Sequence, residues 1–396
     1  MSILERVDSY KDYAISLRHY LHTHPEVSGN EYETAAYLKK QIEAWGLPIQ
    51  QASNTGFIVT LDTGRPGKTL ALRTELDALP VTESTHNLKV ERTVISENPG
   101  FMHACGHDLH MATLMSVMQI LIEMKDQLSG KIIFIFEEAE ETASGIKVMM
   151  KFLKENNIHI DAFYGNHVAA HIDLGKIVVN DGPNMSGAMI TEFTVHGKSG
   201  HGSRPDQAIS PIFAMAQILN AVASAWVNQI DVEKTVTLGM GQVHSGNAVN
   251  IIPETAFANG TLRYFDEAEG HKALEVFKKV ATLTGEAHNC RVEFSDRTGV
   301  AMPATINDSE LAKIARQSVL TNFSEDTLIT DQIWFGSESF AYYKEIAPIV
   351  FTFVGTKDDE KGIGADHHTA EFDVDDSAMR YTIATMVQFT LDYLNQ

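Results

Sequence analysis

Short apolar runs of strand character alternate with helical patterns along most of this chain, and this alternation limits the fold more than any other feature. The strand-like runs span residues 57–61, 69–73, 131–136, 162–164 and 348–354. Residues 109–124 are dense enough in apolar side chains for a buried crossover helix, and residues 31–45 form an amphipathic pattern that Gly46 is placed to end. The alternation predicts an α/β fold, with a mostly parallel sheet flanked by helices.

The middle of the chain has a different order of elements. Strand, helix, strand, strand, helix and strand patterns follow one another at 190–195, 209–226, 235–242, 256–264, 267–283 and 291–294. This is the order of a ferredoxin-like module. Because 396 residues exceed the usual size of one hydrophobic core, we predict a smaller domain, residues 183–295, inserted into a larger one formed by residues 1–182 and 296–396.

Composition and charge restrict the partners. The chain has 44% hydrophobic and 21% charged residues, as in ordinary globular proteins, and a formal net charge of −21. A nucleic acid or an anionic membrane would need a basic face, so we expect neither as a partner. The start, MSILERVD, lacks the pattern of a signal peptide, and no later run is long enough to span a bilayer. We therefore expect a cytoplasmic protein.

The sequence Met102-His103-Ala104-Cys105-Gly106-His107-Asp108 sets a thiol and an imidazole two residues apart, just before the apolar helix. Thiolate and imidazole together are typical ligands of zinc and neighbouring transition metals. The only other cysteine, Cys290, is far away in the sequence, which argues against a disulfide framework. The alternative is a small buried thiol beside a helix-capping turn.

Further candidate ligands follow other predicted strands. Residues 137–141, Glu-Glu-Ala-Glu-Glu, follow the run 131–136, His167 lies just beyond the run 162–164, and His368 lies in a polar loop after 348–354. Ligands in open α/β sheets bind outside the carboxyl ends of the strands, so these groups are expected to lie near one metal ion or a close pair. The alternatives are a solvated acidic turn and structural histidines.

These residues belong to a longer series of motifs. The series is HTHPE (22–26), RTELDALP (73–80), MHACGHDLH (102–110), AEE (139–141), GNHV (165–168), GKSGH (197–201), NIIP (250–253), GTLR (260–263), GSE (336–338) and HTAEF (368–372). In number and order they resemble the aminoacylase and carboxypeptidase superfamily of co-catalytic metallohydrolases. The resemblance covers nearly the whole chain. It is closest to the branch of N-acyl-amino-acid amidohydrolases and indole-acetyl-amino-acid hydrolases.

The resemblance implies a zinc-peptidase-like catalytic domain with two divalent ions per subunit. The implied ligands are Cys105, His107, Glu141, His167 and His368, with Cys105 bridging the ions. Zinc or manganese is expected, and cobalt or nickel stay open because availability often decides the metal. Glu140 matches the family's general base, which takes a proton from the attacking water and returns it to the leaving amine. The alternative for Glu140 is a carboxylate that only supports the ligands.

The resemblance also assigns roles in the inserted segment. There the 183–295 domain is a lid and dimerisation domain, and His201 matches a histidine that reaches the partner subunit's active site and donates to the oxyanion. Asn250, Arg263 and Ser337 match positions that contact substrate, the first two at its carboxylate. For Arg263 the alternative is a surface cation. We therefore expect a homodimer.

Three positions depart from the family pattern. Glu75 stands where Asp is commoner, Glu137 belongs to a Phe-Glu-Glu-Ala run where the branch usually has Phe-Gln-Pro-Ala, and Ser339 stands where Asp usually follows Ser-Glu. None of them removes an implied ligand. Extra negative charge near the metals is expected to disfavour anionic acyl groups such as succinyl.

Together these features predict a metal-dependent amidohydrolase that cleaves N-acyl amino acids to a carboxylic acid and a free amino acid. A metallo-dipeptidase or carboxypeptidase is the nearest alternative, and for it the acyl group is itself an amino acid. A metal-dependent binding protein without catalysis is a more distant alternative. Retention of Glu140 beside Glu141 argues against it, because binding alone needs no base.

Overall fold

A computed structural model describes all 396 residues. The helices are α1 (Ile3–Ser9), α2 (Lys11–Thr23), α3 (Tyr32–Ala44), α4 (His107–Glu123), α5 (Gly145–Glu155), α6 (Pro211–Gln229), α7 (Glu267–Ala287), α8 (Ser309–Asn322) and α9 (Ala378–Leu394). The strands are β1 (Ile49–Gln51), β2 (Phe57–Asp62), β3 (Thr69–Glu75), β4 (Lys131–Glu137), β5 (Ala162–Asp173), β6 (Ile177–Val178), β7 (Gly182–Met185), β8 (Gly187–His196), β9 (Gly200–His201), β10 (Val236–Ser245), β11 (Ile251–Ile252), β12 (Thr255–Tyr264), β13 (Arg291–Phe294), β14 (Gly299–Met302), β15 (Thr305–Asn307), β16 (Leu328–Ile329) and β17 (Ile349–Lys357).

The chain divides into two compact units. The first contains Met1–Gly182, Asn307–Gln332 and Tyr342–Gln396, and the second contains Pro183–Ile306 and Ile333–Ala341. The second unit thus extends beyond the predicted boundary at residue 295, because β14 pairs with β8. It also gains a later segment, because Met185 forms a β-bridge with Trp334 and the Ser186 hydroxyl donates to the Phe335 carbonyl.

The first unit contains an eight-stranded sheet in the order β1-β2-β4-β3-β5-β17-β6-β16. Its central strands β4, β3, β5 and β17 are parallel, while β1, β2 and β6 introduce antiparallel pairs at the edges. The predicted α/β class with a mostly parallel core is confirmed. β3 is buried along its whole length and β4 over all but its first residue, as expected for strands covered on both faces.

The crossover between β3 and β4 is α4, which is nearly all buried. Its N-terminus brings the Cys105–His107 turn to the carboxyl ends of the central strands. β5 differs from the sequence expectation, because it continues to Asp173 and so contains His167 instead of ending before it. The physical reason is pairing with β17, which accompanies β5 well past the last β3 pair at Leu72–Tyr164.

The second unit has an antiparallel sheet in the order β10-β12-β8-β13, with β14 also beside β8. Taken with the chain order β8-α6-β10-β12-α7-β13, this is the ferredoxin-like topology that the sequence predicted. β8 alternates buried and half-buried residues, and its buried side chains pack with those of α6 and α7 in a separate core. β10 is an edge strand that pairs only with β12.

None of the helices combines the length and apolar character needed to cross a membrane.

Candidate metal centre

The first unit brings all five predicted ligands together. Their donor atoms form overlapping groups within 4.8 Å: Cys105 with His107 and His167, Cys105 with Glu141 and His368, and His107 with Glu140 and Glu141. Cys105, His107 and His167 are buried, Glu141 is half-buried and His368 is exposed. A mixed set of sulfur, nitrogen and oxygen donors at this spacing suits a transition-metal site.

Hydrogen bonds aim two histidines into this cluster. The Nδ1 atom of His107 donates to the carbonyl oxygen of Asp77 at 2.7 Å, and the Nδ1 atom of His167 donates to the carbonyl oxygen of Val168 at 2.6 Å. A carbonyl can only accept, so in each ring Nδ1 carries a hydrogen and Nε2 is the atom left to bind a metal ion. The Nε2 atom of His167 lies 3.4 Å from the Cys105 sulfur.

Two buried polar atoms here have no hydrogen-bond partner. They are Nε2 of His107 and Oε1 of Glu141, which face each other at 3.9 Å. Leaving such atoms unsatisfied costs about 1–3 kcal/mol each, so native structures keep them for a reason. A cation between them satisfies both, and the residues therefore fit a bound divalent metal ion.

The pKa values of the predicted ligands depend on burial and on their neighbours in the cluster. Burial, followed by the charge of Glu141, raises the pKa of the Cys105 thiol well above its usual range. Burial alone lowers the pKa of His107, but the hydrogen bond with Asp77 and the nearby Cys105 and Glu75 outweigh it and hold that pKa well above its usual range. Burial and the neighbouring His110 lower the pKa of His167. A metal ion replaces the proton on such a thiol, because only the thiolate is a strong ligand.

The acid run that follows β4 divides into two pairs. Glu137 accepts hydrogen bonds from Arg73 Nε at 3.1 Å and from the Tyr343 hydroxyl at 2.8 Å, deep in the core. Glu138 accepts from the Thr55 backbone N–H at 2.8 Å. Only Glu140 and Glu141 join the cluster around His107. The expectation that Glu137 adds extra charge beside the metals is therefore corrected: Glu137 lies outside the donor groups and forms an ion pair with Arg73.

A left-handed residue separates the two pairs of acids. Ala139 has φ of +51°, a conformation that non-glycine residues seldom adopt, and its N–H donates to Oε1 of Glu31 at 2.8 Å. His368 also has positive φ, +66°, and its N–H donates to the Ala104 carbonyl at 2.9 Å. Strained residues of this kind persist where the surroundings fix them, and they concentrate at functional sites. Here each strained turn carries a predicted ligand.

The other predicted site residues lie in the second unit. His201, in β9, pairs with Ile251 of β11, and the Gly202 N–H donates to the Asn250 carbonyl at 2.8 Å, so His201 and Asn250 lie close together on exposed chain. Arg263 donates from Nη1 to the Ser337 hydroxyl at 2.7 Å, which brings the other two predicted residues together. Burial lowers the pKa of Arg263. The structure thus groups the four residues into two pairs.

A family model described as Peptidase family M20/M25/M40 matches residues 71–392 of this chain. The chain belongs to that family. This confirms the resemblance that the motifs indicated.

Relatives of this M20-family protein match along most of its length. Thermostable carboxypeptidase 1 of Saccharolobus solfataricus is 32% identical over 94% of this chain and 93% of the relative. IAA-amino acid hydrolase ILR1-like 2 of Arabidopsis thaliana is 30% identical over 97% and 86%. N-acetyl-L-cysteine deacetylase of Bacillus subtilis is 30% identical over 92% and 84%.

A solved structure shares the fold. A dinuclear metal binding peptidase of the M20 family from Bacillus subtilis is 25% identical, with a TM-score of 0.84 over 98% of this chain and 99% of that chain. Family membership and the donor cluster together identify this protein as a metal-dependent hydrolase of amide bonds that binds divalent metal ions.

Sequence reasoning missed several residues that hold the predicted ligands of this M20-family protein in place. Asp77 accepts from the Glu141 N–H at 3.0 Å and from the Ser28 hydroxyl at 2.6 Å, besides orienting His107. Glu75 accepts from Nδ1 of His110 at 2.9 Å and pairs with Arg73. The same rule of strand carboxyl ends applied to β3 points to Glu75 and Asp77, because both end or follow that strand.

Proposed function

We propose that this protein hydrolyses the amide bond of N-acyl amino acids and releases a carboxylic acid and a free amino acid. The observation that carries the proposal is the buried pair of unsatisfied atoms, Nε2 of His107 and Oε1 of Glu141, with the Glu140 carboxylate in the same group. An ion site with an adjacent carboxylate that can act as a base is suited to hydrolysis, whereas binding alone needs only the ligands. Two of the three relatives described above bear names that refer to acyl or IAA conjugates of amino acids.

We further propose two divalent ions per subunit, held by Cys105, His107, Glu141, His167 and His368. Support comes from the overlapping donor groups and from the dinuclear relative. Zinc or manganese fits the donor set, and cobalt or nickel is compatible with it. When bound, such ions polarise the amide carbonyl and lower the pKa of a coordinated water. Cytoplasmic residence fits a site whose thiol must stay reduced, and neither cysteine is in a disulfide.

The protein's own residues then divide the remaining tasks. Glu140 takes a proton from the attacking water and delivers it to the nitrogen of the leaving amine. Arg263, together with Ser337 and Asn250, binds the substrate carboxylate, for which a planar guanidinium is well shaped. His201 donates from Nε2 to the oxyanion, because its Nδ1 already accepts a hydrogen bond from the Ser203 N–H at 3.1 Å.

We also propose a homodimer formed through the second unit. The unpaired edge of β10 can extend the sheet into a partner. On α6, Phe213 and Val227 are 71% and 78% exposed, which is high for large apolar side chains. In this arrangement the exposed His201 serves the partner's metal centre.

A metallo-dipeptidase or carboxypeptidase is the second candidate, favoured by the 32% identical carboxypeptidase. A hydrolysis screen separates the two. Metal-reconstituted protein is assayed on N-acetyl, N-benzoyl, N-succinyl and indole-acetyl amino acids and on dipeptides, with Glu140→Gln as the blank. We expect turnover of N-acyl amino acids that the blank lacks. Turnover of dipeptides alone would replace the first candidate with the second.

A further inference from the structure

Two histidines cap the edge of β5 where its neighbour β3 has ended. The Val168 N–H donates to Nε2 of His110 at 3.0 Å, and the Ala170 N–H donates to Nε2 of His367 at 3.1 Å. Residues two apart in a strand direct their N–H groups to the same edge. The two imidazoles therefore occupy the place of a missing strand.

This arrangement fixes the hydrogen on each ring. A nitrogen that accepts from an N–H carries no hydrogen itself, so both rings present Nδ1–H. His110 directs that hydrogen to Glu75, while Nδ1 of His367 lies 3.7 Å from the Cys105 sulfur.

The ring of His367 is also held in place by packing. Its centroid lies 4.7 Å from that of Phe372 and 5.4 Å from that of His167. With its Nε2 atom fixed by the Ala170 N–H, the ring has little freedom to turn away from the sulfur. His368, the adjacent residue, instead approaches Glu141, with Nε2 3.4 Å from Oε2. The two consecutive histidines thus contact different residues: His367 contacts Cys105, and His368 contacts Glu141.

We propose that His367 is a positioning residue that donates an N–H···S hydrogen bond to the Cys105 thiolate. This proposal rests on the proposed function in one respect, which is the assignment of Cys105 as a metal ligand. The bond fixes the sulfur relative to His167 and draws electron density from it, so that bound ions would receive less charge from the thiolate and would be stronger Lewis acids. His367 itself is not a ligand, because its Nδ1 carries a hydrogen.

Two amide substitutions separate the two hydrogen bonds of His367. In His367→Asn, the amide N–H lies where Nδ1 is and keeps a donor to sulfur. In His367→Gln, the amide oxygen lies where Nε2 is and keeps the acceptor for Ala170, but the donor to sulfur is lost. The same change at the exposed His159, His159→Gln, is the control, and melting of the metal-free proteins verifies folding.

The probe is cobalt(II) added to metal-free protein. Wild type should show a sulfur-to-cobalt charge-transfer band. In His367→Gln we expect that band at longer wavelength, because the sulfur lone pairs rise in energy, and a cobalt affinity lowered by about 10–100-fold, as when ligand-orienting groups are lost. His367→Asn and His159→Gln should keep the wild-type band.

Three results would overturn the proposal. One is a wild-type band and affinity in His367→Gln. Another is an equal shift in His367→Asn, which would mean that only the bond to Ala170 matters. The third is fewer cobalt ions per subunit at saturation in His367→Gln, which would make His367 a ligand. Absence of the band from wild type would instead refute Cys105 as a ligand, and the proposed metal centre with it.

Discussion

The two units treat their functional residues differently. In the first unit the backbone holds three of the proposed ligands: the Asp77 carbonyl orients His107, the Val168 carbonyl orients His167, and the Ala104 carbonyl holds the loop of His368. In the second unit His201 and Asn250 are exposed, and the His201 side chain is bonded only locally, to Ser203. The donor cluster of the first unit is therefore organised before substrate binds. We infer that the side chains of His201 and Asn250 are ordered only when two subunits form the dimer.

The largest effect should come from the acid inside the organised cluster. In Glu140→Gln the amide keeps the shape but cannot take a proton, so kcat should fall by about 10²–10⁴-fold or more with the metal retained. The matched control is Glu138→Gln, because Glu138 uses its Oε2 atom to accept from Thr55 and Gly56, and an amide oxygen can do the same. Steady-state kinetics with elemental analysis test this. Near-normal kcat at full metal content would remove Glu140 from the chemistry.

The two cysteines allow a sharp comparison between the units, because both are free and buried. Cys105→Ser replaces a thiolate with a much poorer ligand, so affinity for zinc should fall by about 10–100-fold or more, and activity should fall at limiting metal. Cys290→Ser should change neither, since Cys290 packs in the core of the second unit. Chelator competition measures the affinity. Equal zinc affinity for Cys105→Ser and wild type would make Cys105 a packing residue.

In the first unit, buried His22 lies between Glu83 and Asp108, the residue that follows His107. Each ring nitrogen of His22 is 2.9 Å from a carboxylate oxygen. Burial lowers its pKa, but the hydrogen bonds with Asp108 and Glu83 raise it to about 9. Since the unfolded pKa is about 6.5, this contribution to stability is complete below pH 6.5 and is lost as the pH rises through 9. Between pH 6 and 10 the free energy of unfolding of metal-free wild type should fall by roughly 3 kcal/mol relative to His22→Gln. Urea denaturation at each pH measures the free energy of unfolding of both proteins. The same pH dependence in wild type and His22→Gln would contradict this prediction.

Much of this organisation was predictable because it follows from local patterns. Apolar runs located β3 and β4, and the rule of strand carboxyl ends pointed to donor residues that the structure brings within 4.8 Å of one another in overlapping groups. Sequence could not show that Glu137 and Glu138 point away from the cluster that Glu140 and Glu141 join. This separation depends on the left-handed conformation of Ala139 and on the hydrogen bond from Arg73 to Glu137. The length of β5 depends on β17, a partner distant in sequence. Sequence also gives no reason for His367 to face Cys105 while His368 faces Glu141.

If a partner subunit completes the site, a refolded mixture of two inactive variants should have activity about fourfold below that of wild type. His201→Ala and Glu140→Gln should each be nearly inactive alone. When they are unfolded and refolded together, half the dimers are mixed and each mixed dimer has one intact site of two, so activity should reach roughly a quarter of wild type. Mass measurement confirms subunit exchange. Exchange without recovery would confine His201 to its own subunit or exclude it from the reaction.

The smallest effect should follow from Glu137→Gln, which restores the residue usual in this branch of the family. Arg73 and Tyr343 both donate hydrogen bonds to this acid and can donate to an amide oxygen in its place, while Arg73 keeps its ion pair with Glu75. We therefore expect kcat within a few-fold of wild type, a loss of unfolding free energy of about 1–3 kcal/mol, and an unchanged preference between N-succinyl and N-acetyl substrates. Urea denaturation and paired kcat/KM values measure the two parts. A selective gain on N-succinyl substrates would mean that the charge of Glu137 acts on the acyl group after all, and that the organised cluster is less well compensated than its hydrogen bonds indicate.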